Sequence, residues 1–393
     1  MDTHNLIMQD QEYLLHTYAK KHIYFERALG SILWTKDNQD YIDFGSGIGV
    51  CSVGHCNSFL IQNLTEQLHK IIHISNIFGN DLQIKLAKRI VELSGLDARV
   101  FFSNSGAEAN ECAIKIARKF GESQNRYEII TLDSSFHGRT IATLKATGQE
   151  KFHQHFGPFP EGFVVAKNLE HVFELIGDKT CAVMLELIQG EGGVCAFDKK
   201  QIQQLSSLLK QKGLLLIVDE VQSGVYRSGS FLASQSYGIK PDIITLAKGL
   251  GGGIPIGATI TTLKNIFTSG DHGSTFGGNF LSMQAGLSVL DILEKEYDNK
   301  LIDSRIDVFQ SKISELLKTF PHLFSQSTGM GLMLGLQAHN QEIFEKILEN
   351  SLKERVVVLK SGKNVIRFLP PIIIQKEEIQ EGFERFKKAC EKI

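Results

Sequence analysis

Proline is scarce in this chain, and paired cysteines are absent. Only 7 of 393 residues are proline. The six cysteines, Cys51, Cys56, Cys112, Cys181, Cys195 and Cys390, contain no Cys-x-x-Cys pair. The N-terminus, with Asp2, His4, Asp10 and Glu12, is too polar for a signal sequence. The cysteines therefore read as reduced thiols of a cytoplasmic protein rather than a disulfide framework. No apolar run approaches membrane length, so no membrane partner is expected. A formal net charge of -2 and a pI of about 6.7 leave no basic excess for nucleic acid or an acidic membrane surface. Neither a Gly-x-x-x-x-Gly-Lys-[Ser/Thr] loop nor a Gly-x-Gly-x-x-Gly fingerprint occurs, and repeats and low-complexity tracts are also missing. Glycine, by contrast, is abundant at 36 residues. With 42% hydrophobic and 22% charged residues, this fits a globular α/β protein with many tight strand–helix turns.

The most informative stretch is residues 243–257, Ile-Ile-Thr-Leu-Ala-Lys-Gly-Leu-Gly-Gly-Gly-Ile-Pro-Ile-Gly. Its apolar start predicts a buried strand that stops at Lys248 and a glycine loop. A lysine between a greasy strand and such a loop is partly desolvated. That lowers its pKa and frees a nucleophilic amine. The arrangement suits a Schiff base with an aldehyde cofactor; a solvated lysine at a strand end is the alternative.

Ser31–Thr35 and Asp40–Phe44 predict a hairpin, followed by a flexible glycine loop over residues 45–49 that could wrap a ligand or a neighbouring subunit. Helical spacing recurs over 58–73 and 80–94. Val100–Phe102 reads as a strand running into Ser103-Asn-Ser-Gly-Ala-Glu108 and a helix. Free N–H groups and the positive end of the dipole there suit a phosphate, although an N-cap serine is more often only a cap. After the strand Glu128–Leu132, Phe136 is placed to stack on a planar ring and Arg139 to hold a carboxylate. A packed aromatic and a surface arginine are equally open readings.

Cys181–Leu185 and Leu214–Val218 are apolar throughout, as in a parallel sheet covered on both faces. The first ends at Glu186 and the loop Ile188-Gln-Gly-Glu-Gly-Gly193. The second ends at Asp219-Glu220-Val-Gln222, and Asp219 at its tip needs a cationic partner, such as a protonated pyridine nitrogen. Metal ligation is disfavoured, because adjacent strand residues point to opposite faces and no His lies nearby in sequence. Beyond the mostly helical residues 281–319 come a strand from Gly329 to Leu336, a helix over 341–353, strands Val356–Leu359 and Val365–Leu369, and a helix over 377–391. Arg367, inside an apolar strand, should face a cleft with an anionic partner. The expected organisation is an N-terminal segment over 1–58 that belongs to a small domain, a large cofactor-binding domain over 59–290, and a small α+β domain over 291–393.

Together these pieces are the fittings of pyridoxal 5'-phosphate, and here a resemblance is specific. The motifs are Ser-Gly-Ala-Glu-Ala-Asn110, Phe-His-Gly-Arg-Thr140, Ile-Gln-Gly-Glu-Gly-Gly193, Asp-Glu-Val-Gln222, Leu-Ala-Lys-Gly-Leu-Gly-Gly-Gly-Ile-Pro-Ile-Gly257 and Gly-Ser-Thr-Phe-Gly-Gly-Asn279. From about Tyr18 to the C-terminus the chain resembles the class III (ω-) aminotransferases, and within them the acetylornithine aminotransferases. The resemblance implies the aspartate aminotransferase-like fold (fold type I), with a large, mostly parallel sheet domain and a smaller α+β domain. It implies catalysis by Lys248 and Asp219. Cofactor contacts would come from Ser105, Gly106, Ala107, Phe136, Asp219, Glu220, Val221, Gln222, Lys248 and Thr275. Substrate contacts would come from Arg139, Glu186, Glu191, Ser274, Arg367 and Tyr18.

The implied reaction moves the δ-amino group of N2-acetyl-L-ornithine to 2-oxoglutarate, giving glutamate and N-acetylglutamate 5-semialdehyde, a step of arginine biosynthesis. Ornithine, succinylornithine and N-succinyl-diaminopimelate remain alternative donors. A class III aminomutase and a non-catalytic binding protein are the other readings. Thr275 and Ser274 would reach the active site of a partner subunit, making a homodimer with shared sites.

Further expectations concern particular positions. Ala107 stands where a threonine is common, which leaves only backbone N–H groups for the phosphate. Asn57-Ser58 replace a common His-Pro. Tyr226 and Phe280 replace glycine and proline, close enough to the site to affect the choice of substrate. Finally, Glu191 in a flexible glycine loop is expected to neutralise Arg367 and swing aside for glutamate, since an unpaired buried arginine would cost roughly 3–5 kcal/mol. A fixed structural ion pair is the alternative.

Overall fold

The computed structural model describes residues 3–393. At its centre is a seven-stranded sheet in the order Arg99–Ser103, Gly257–Thr261, Ile243–Leu246, Leu215–Asp219, Thr180–Leu185, Glu128–Leu132, Phe163–Ala166. Gly257–Thr261 runs antiparallel to both neighbours, and every other pairing is parallel. Six strands thus end along one edge of the sheet, where loops are free to build a site.

Alternation along the buried strands divides their side chains between two cores. Ile130, Leu132, Val183, Leu185, Leu216 and Val218 meet Ile202, Leu205 and Leu209 of the helix Lys199–Lys212. Ile129, Ala182, Met184, Leu215 and Ile217 meet Cys112, Ala113, Ile116 and Ala117 of the helix Gly106–Gly121. Both faces are covered, which is why these strands read as continuous apolar runs.

The hairpin Ile32–Thr35/Asp40–Asp43 forms as expected and joins Val356–Val357 in a four-stranded sheet, so the chain's first strands lie against its last quarter. Residue 290 falls inside one unbroken helix, Phe280–Asp298. The single strand expected from Gly329 to Leu336 is instead a hairpin, Phe324–Met330 and Met333–Ala338, turning at Gly331 with φ +61°. Val356–Leu359 also divides: Val356–Val357 joins one sheet and Leu359–Ser361 another. Strands Phe25–Leu29 and Phe163–Ala166 were not expected, nor was Gly257–Thr261, whose small residues mask its period. Residues 45–49 are not loose. Asp43 Oδ1 accepts from Gly45 N and Ser46 N, both at 2.8 Å, and Ser46 Oγ donates to Leu369 O at 2.6 Å. No helix among the described residues is long and apolar enough to cross a membrane.

Candidate active site

A cavity of about 390 Å³ opens at the carboxyl edge of the sheet. It is lined by Ser105, Gly106 and Ala107 from one turn, Phe136 and Arg139 from the next, and Glu186, Glu191, Asp219, Val221, Gln222 and Lys248. Ten of the expected residues therefore converge there together with Lys248, although they come from five separate stretches of chain.

Lys248 follows the strand Ile243–Leu246 and begins a short 3-10 turn with φ 40°, a left-handed conformation that a lysine adopts only under constraint. Among the described residues its amine has no hydrogen-bond or ion-pair partner. Its pKa is lowered, first by burial and then by the charge of Arg367. Glu191, Asp219 and Glu186 oppose the shift.

Asp219 is 4% exposed and anchored at both carboxylate oxygens. Its Oδ1 accepts from Val221 N at 3.0 Å; its Oδ2 accepts from Asn110 Nδ2 at 2.7 Å and lies 2.8 Å from His137 Nδ1. Asn110 is held in turn by Thr245 Oγ1 at 2.7 Å. Besides the His137 imidazole, no cationic side chain among the described residues pairs with this carboxylate, which leaves it open to a cation in the cavity. At the other end, the N–H groups of Gly106 and Ala107 make no hydrogen bond among the described residues. Ser105 Oγ caps Glu108 N at 3.2 Å. A side chain at Gly106 would meet Val221 Cγ1 at 2.7 Å, so glycine keeps this cradle open. A buried carboxylate, an unpaired amine, an aromatic wall and an open helix start fit pyridoxal phosphate. They would hold its ring nitrogen, its aldehyde carbon, its ring face and its phosphate in that order.

Glu186 is buried, with Oε1 accepting from Phe136 N at 2.8 Å and Oε2 from Gly190 N at 3.1 Å. Burial pushes its pKa up to about 7. Arg367 is 2% exposed and sits behind the cavity wall. Its Nη1 donates to Glu191 Oε1 at 2.7 Å, to Gly190 O at 2.9 Å and to Gln222 Oε1 at 3.2 Å.

Several expectations need correction. Glu220 does not touch the cavity: strand alternation turns it away, and its carboxylate caps the helix Ala233–Tyr237, accepting from Ala233 N and Ser234 N. Tyr18 is 79% exposed and lines no part of the cavity. Tyr226 lies in the core against Tyr297 and Phe231, and Phe280 starts a helix, so neither shapes the site. Ser274 and Thr275 lie outside this cavity, beside His73 and Asn76 in a surface hollow. The loop around Glu191 is not free, as detailed below. Asn110, His137 and Thr245 were missed as support for Asp219. The signal was there: an Asn on the apolar face of the helix Gly106–Gly121, and a Thr inside an apolar strand. Among the described residues no group of three or more His, Cys, Asp or Glu side chains is placed to hold a metal.

Fold and cavity together define a pyridoxal-phosphate-dependent transferase of fold type I. The family model "Aminotransferase class-III" matches residues 14–390, and the chain belongs to that family. An acetylornithine aminotransferase of Wolinella succinogenes is 56% identical over 98% of this chain and 99% of its own length. Another, from Caldanaerobacter subterraneus, is 40% identical over 96% and 97%. Among solved structures, an ornithine aminotransferase from Toxoplasma gondii, with partial occupancy of PLP at its active site, superposes with TM-score 0.94 at 28% identity, covering 100% of this chain and 95% of that one. The N-acetylornithine aminotransferase of Stenotrophomonas maltophilia gives 0.82 at 31%, covering 98% of both. The chain is thus a pyridoxal-phosphate-dependent aminotransferase.

Proposed function

We propose that this aminotransferase takes the δ-amino group of N2-acetyl-L-ornithine and gives it to 2-oxoglutarate, working as a homodimer. The observation that carries the reading is a pair of arginines in unlike states. Arg139 lines the cavity with no hydrogen-bond or ion-pair partner among the described residues, whereas Arg367 is covered by Glu191. Both substrates carry a carboxylate far from the reacting carbon, which suits an open Arg139. Only glutamate has one beside that carbon, which suits an Arg367 that can be uncovered. The names of the relatives above support the acetylated donor.

When bound, the cofactor supplies an electron-withdrawing ring that stabilises negative charge at the substrate carbon. Asp219, held by Val221 N, Asn110 Nδ2 and His137 Nδ1, would keep a proton on the ring nitrogen. Lys248, with its lowered pKa, would take the proton from the substrate carbon and carry it across the nitrogen in a 1,3-shift. Gln222, bonded to Arg367 and lining the cavity, would contact the ring's 3-oxygen. Ser274 and Thr275 serve the partner subunit's cavity. In support, exposed Ile77 and Phe276 lie beside them, and Asn76 Nδ2 ties the two segments by donating to Ser274 O at 3.0 Å and Gly277 O at 2.8 Å.

An amino-donor panel with 2-oxoglutarate tests the assignment. N2-acetyl-L-ornithine should exceed ornithine, succinylornithine and N-succinyl-diaminopimelate in kcat/KM by about tenfold or more, or roughly 1.4 kcal/mol in transition-state binding. A better rate with any of the others would reassign the donor. Turnover without any 2-oxo acid would point to an aminomutase.

A further inference from the structure

The glycines of Gly190-Glu-Gly-Gly193 suggest mobility, but each is fixed by close approach or by a positive φ. A Cβ at Gly190 would lie 2.2 Å from Gln222 Oε1, one at Gly192 would lie 2.8 Å from Ser134 O, and Gly193 has φ +103°. The backbone is also bonded at every residue but one. Gly190 N donates to Glu186 Oε2 at 3.1 Å. Ser361 Oγ donates to Gly190 O at 2.7 Å and accepts from Gly193 N at 2.9 Å, bridging both ends of the loop. Gly362 N donates to Glu191 O at 2.9 Å. Ser361 itself is buried, at the end of the strand Leu359–Ser361 that pairs with the strand carrying Arg367.

We infer that Ser361 is a positioning residue that locks the backbone of the Gly190–Gly193 loop, so that Glu191 uncovers Arg367 by rotating its side chain alone. The inference rests on the proposed two-substrate reading and adds a residue that decides how the two are told apart. One hydroxyl, placed on the element next to Arg367, fixes the distance between the strand that holds the cation and the loop that holds its cover. Glu191 is about one-third exposed while Arg367 is buried, so the carboxylate has open space to turn into and the guanidinium does not. Because the backbone stays fixed, the return stroke finds the same geometry each time. Discrimination then costs one side-chain rotation rather than the ordering of a loop.

The Ser361→Ala variant of the cofactor-loaded protein tests this. Amide hydrogen exchange over residues 190–193 should accelerate by about tenfold or more, because Gly193 N–H loses its acceptor and the loop its bridge. In single-turnover measurements the glutamate half-reaction should gain severalfold relative to the ω-amine half-reaction, as Glu191 covers Arg367 less faithfully. Unchanged exchange at 190–193, or equal slowing of both halves, would overturn the inference. If the donor panel identifies a different ω-amine, that amine is used for the second half-reaction. The exchange result does not depend on it, so the two readings fail separately.

Discussion

The guanidinium of Arg139 lies 4.1 Å over the ring centroid of Phe152 and 5.3 Å from that of Phe136. The two rings meet edge to face at 6.4 Å. This cation is therefore held by its faces, and its N–H edges stay free for a carboxylate. Phe152 comes from the short turn Glu150–Phe152, outside the cavity wall. Phe152→Ala should raise KM for substrates with a distal carboxylate severalfold, equivalent to about 1 kcal/mol, with kcat little changed. Phe152→Tyr, which keeps a ring face, should restore most of the loss. Steady-state kinetics of the three proteins decide it, and a fall in kcat at constant KM would count against the stacking role.

Removing the cover of Arg367 should separate the two half-reactions. Glu191→Ala leaves the guanidinium bonded to Gly190 O, Gln222 Oε1 and Lys360 O but uncovered toward the cavity. The glutamate half-reaction should improve relative to the ω-amine half-reaction by about tenfold, measured by single-turnover kinetics. Equal losses in both halves would make the pair a fixed structural bridge.

Cofactor retention should depend on assembly. Thr275 is exposed and lies outside its own chain's cavity. Thr275→Ala should weaken cofactor binding by about tenfold, and dilution into monomers should release it, read by equilibrium dialysis and sedimentation. A monomer that holds the cofactor as tightly as the assembled protein would rule out a shared site.

The stability of the fold should carry a pH signature from Glu220, whose carboxyl is pushed up to about 7 from 4.5, first of all by burial. The protonated form is the one favoured in the fold. Its contribution is fully present below about pH 4.5 and is lost as the pH rises through about 7. Glu220→Gln cannot ionise. Relative to wild type, the variant should gain on the order of 3 kcal/mol between those pH values, seen as converging or crossing melting temperatures. Parallel melting curves would mean that the two helix N–H donors keep Glu220 ionised throughout.

Much of this architecture could be read in one dimension, because the information is local. Cys181–Leu185 and Leu214–Val218 are apolar at every step, which only a strand covered on both faces tolerates. Lys248 and Asp219 stand where such strands end, so chemistry and position coincide in the sequence. Gly257–Thr261 and Phe163–Ala166 escaped because they are short and carry no strong period.

Which way a side chain faces, and what else competes for it, was settled only in three dimensions. Asp219 and Glu220 are adjacent acids, yet strand alternation sends one to the cavity and the other to cap a helix formed by residues thirteen positions later. The loop of Gly190, Gly192 and Gly193 reads as mobile because glycine permits many conformations. It is rigid because Ser361, Gly362 and Glu186, remote or near in sequence, take up its backbone groups, while Gln222 and Ser134 leave no room for a Cβ at Gly190 or Gly192. Composition and periodicity determined the strands and the residues at their ends. Hydrogen bonds between stretches apart in sequence determined which of those ends became a wall, a fixed loop or a cap, because such bonds depend on distances that no local pattern encodes.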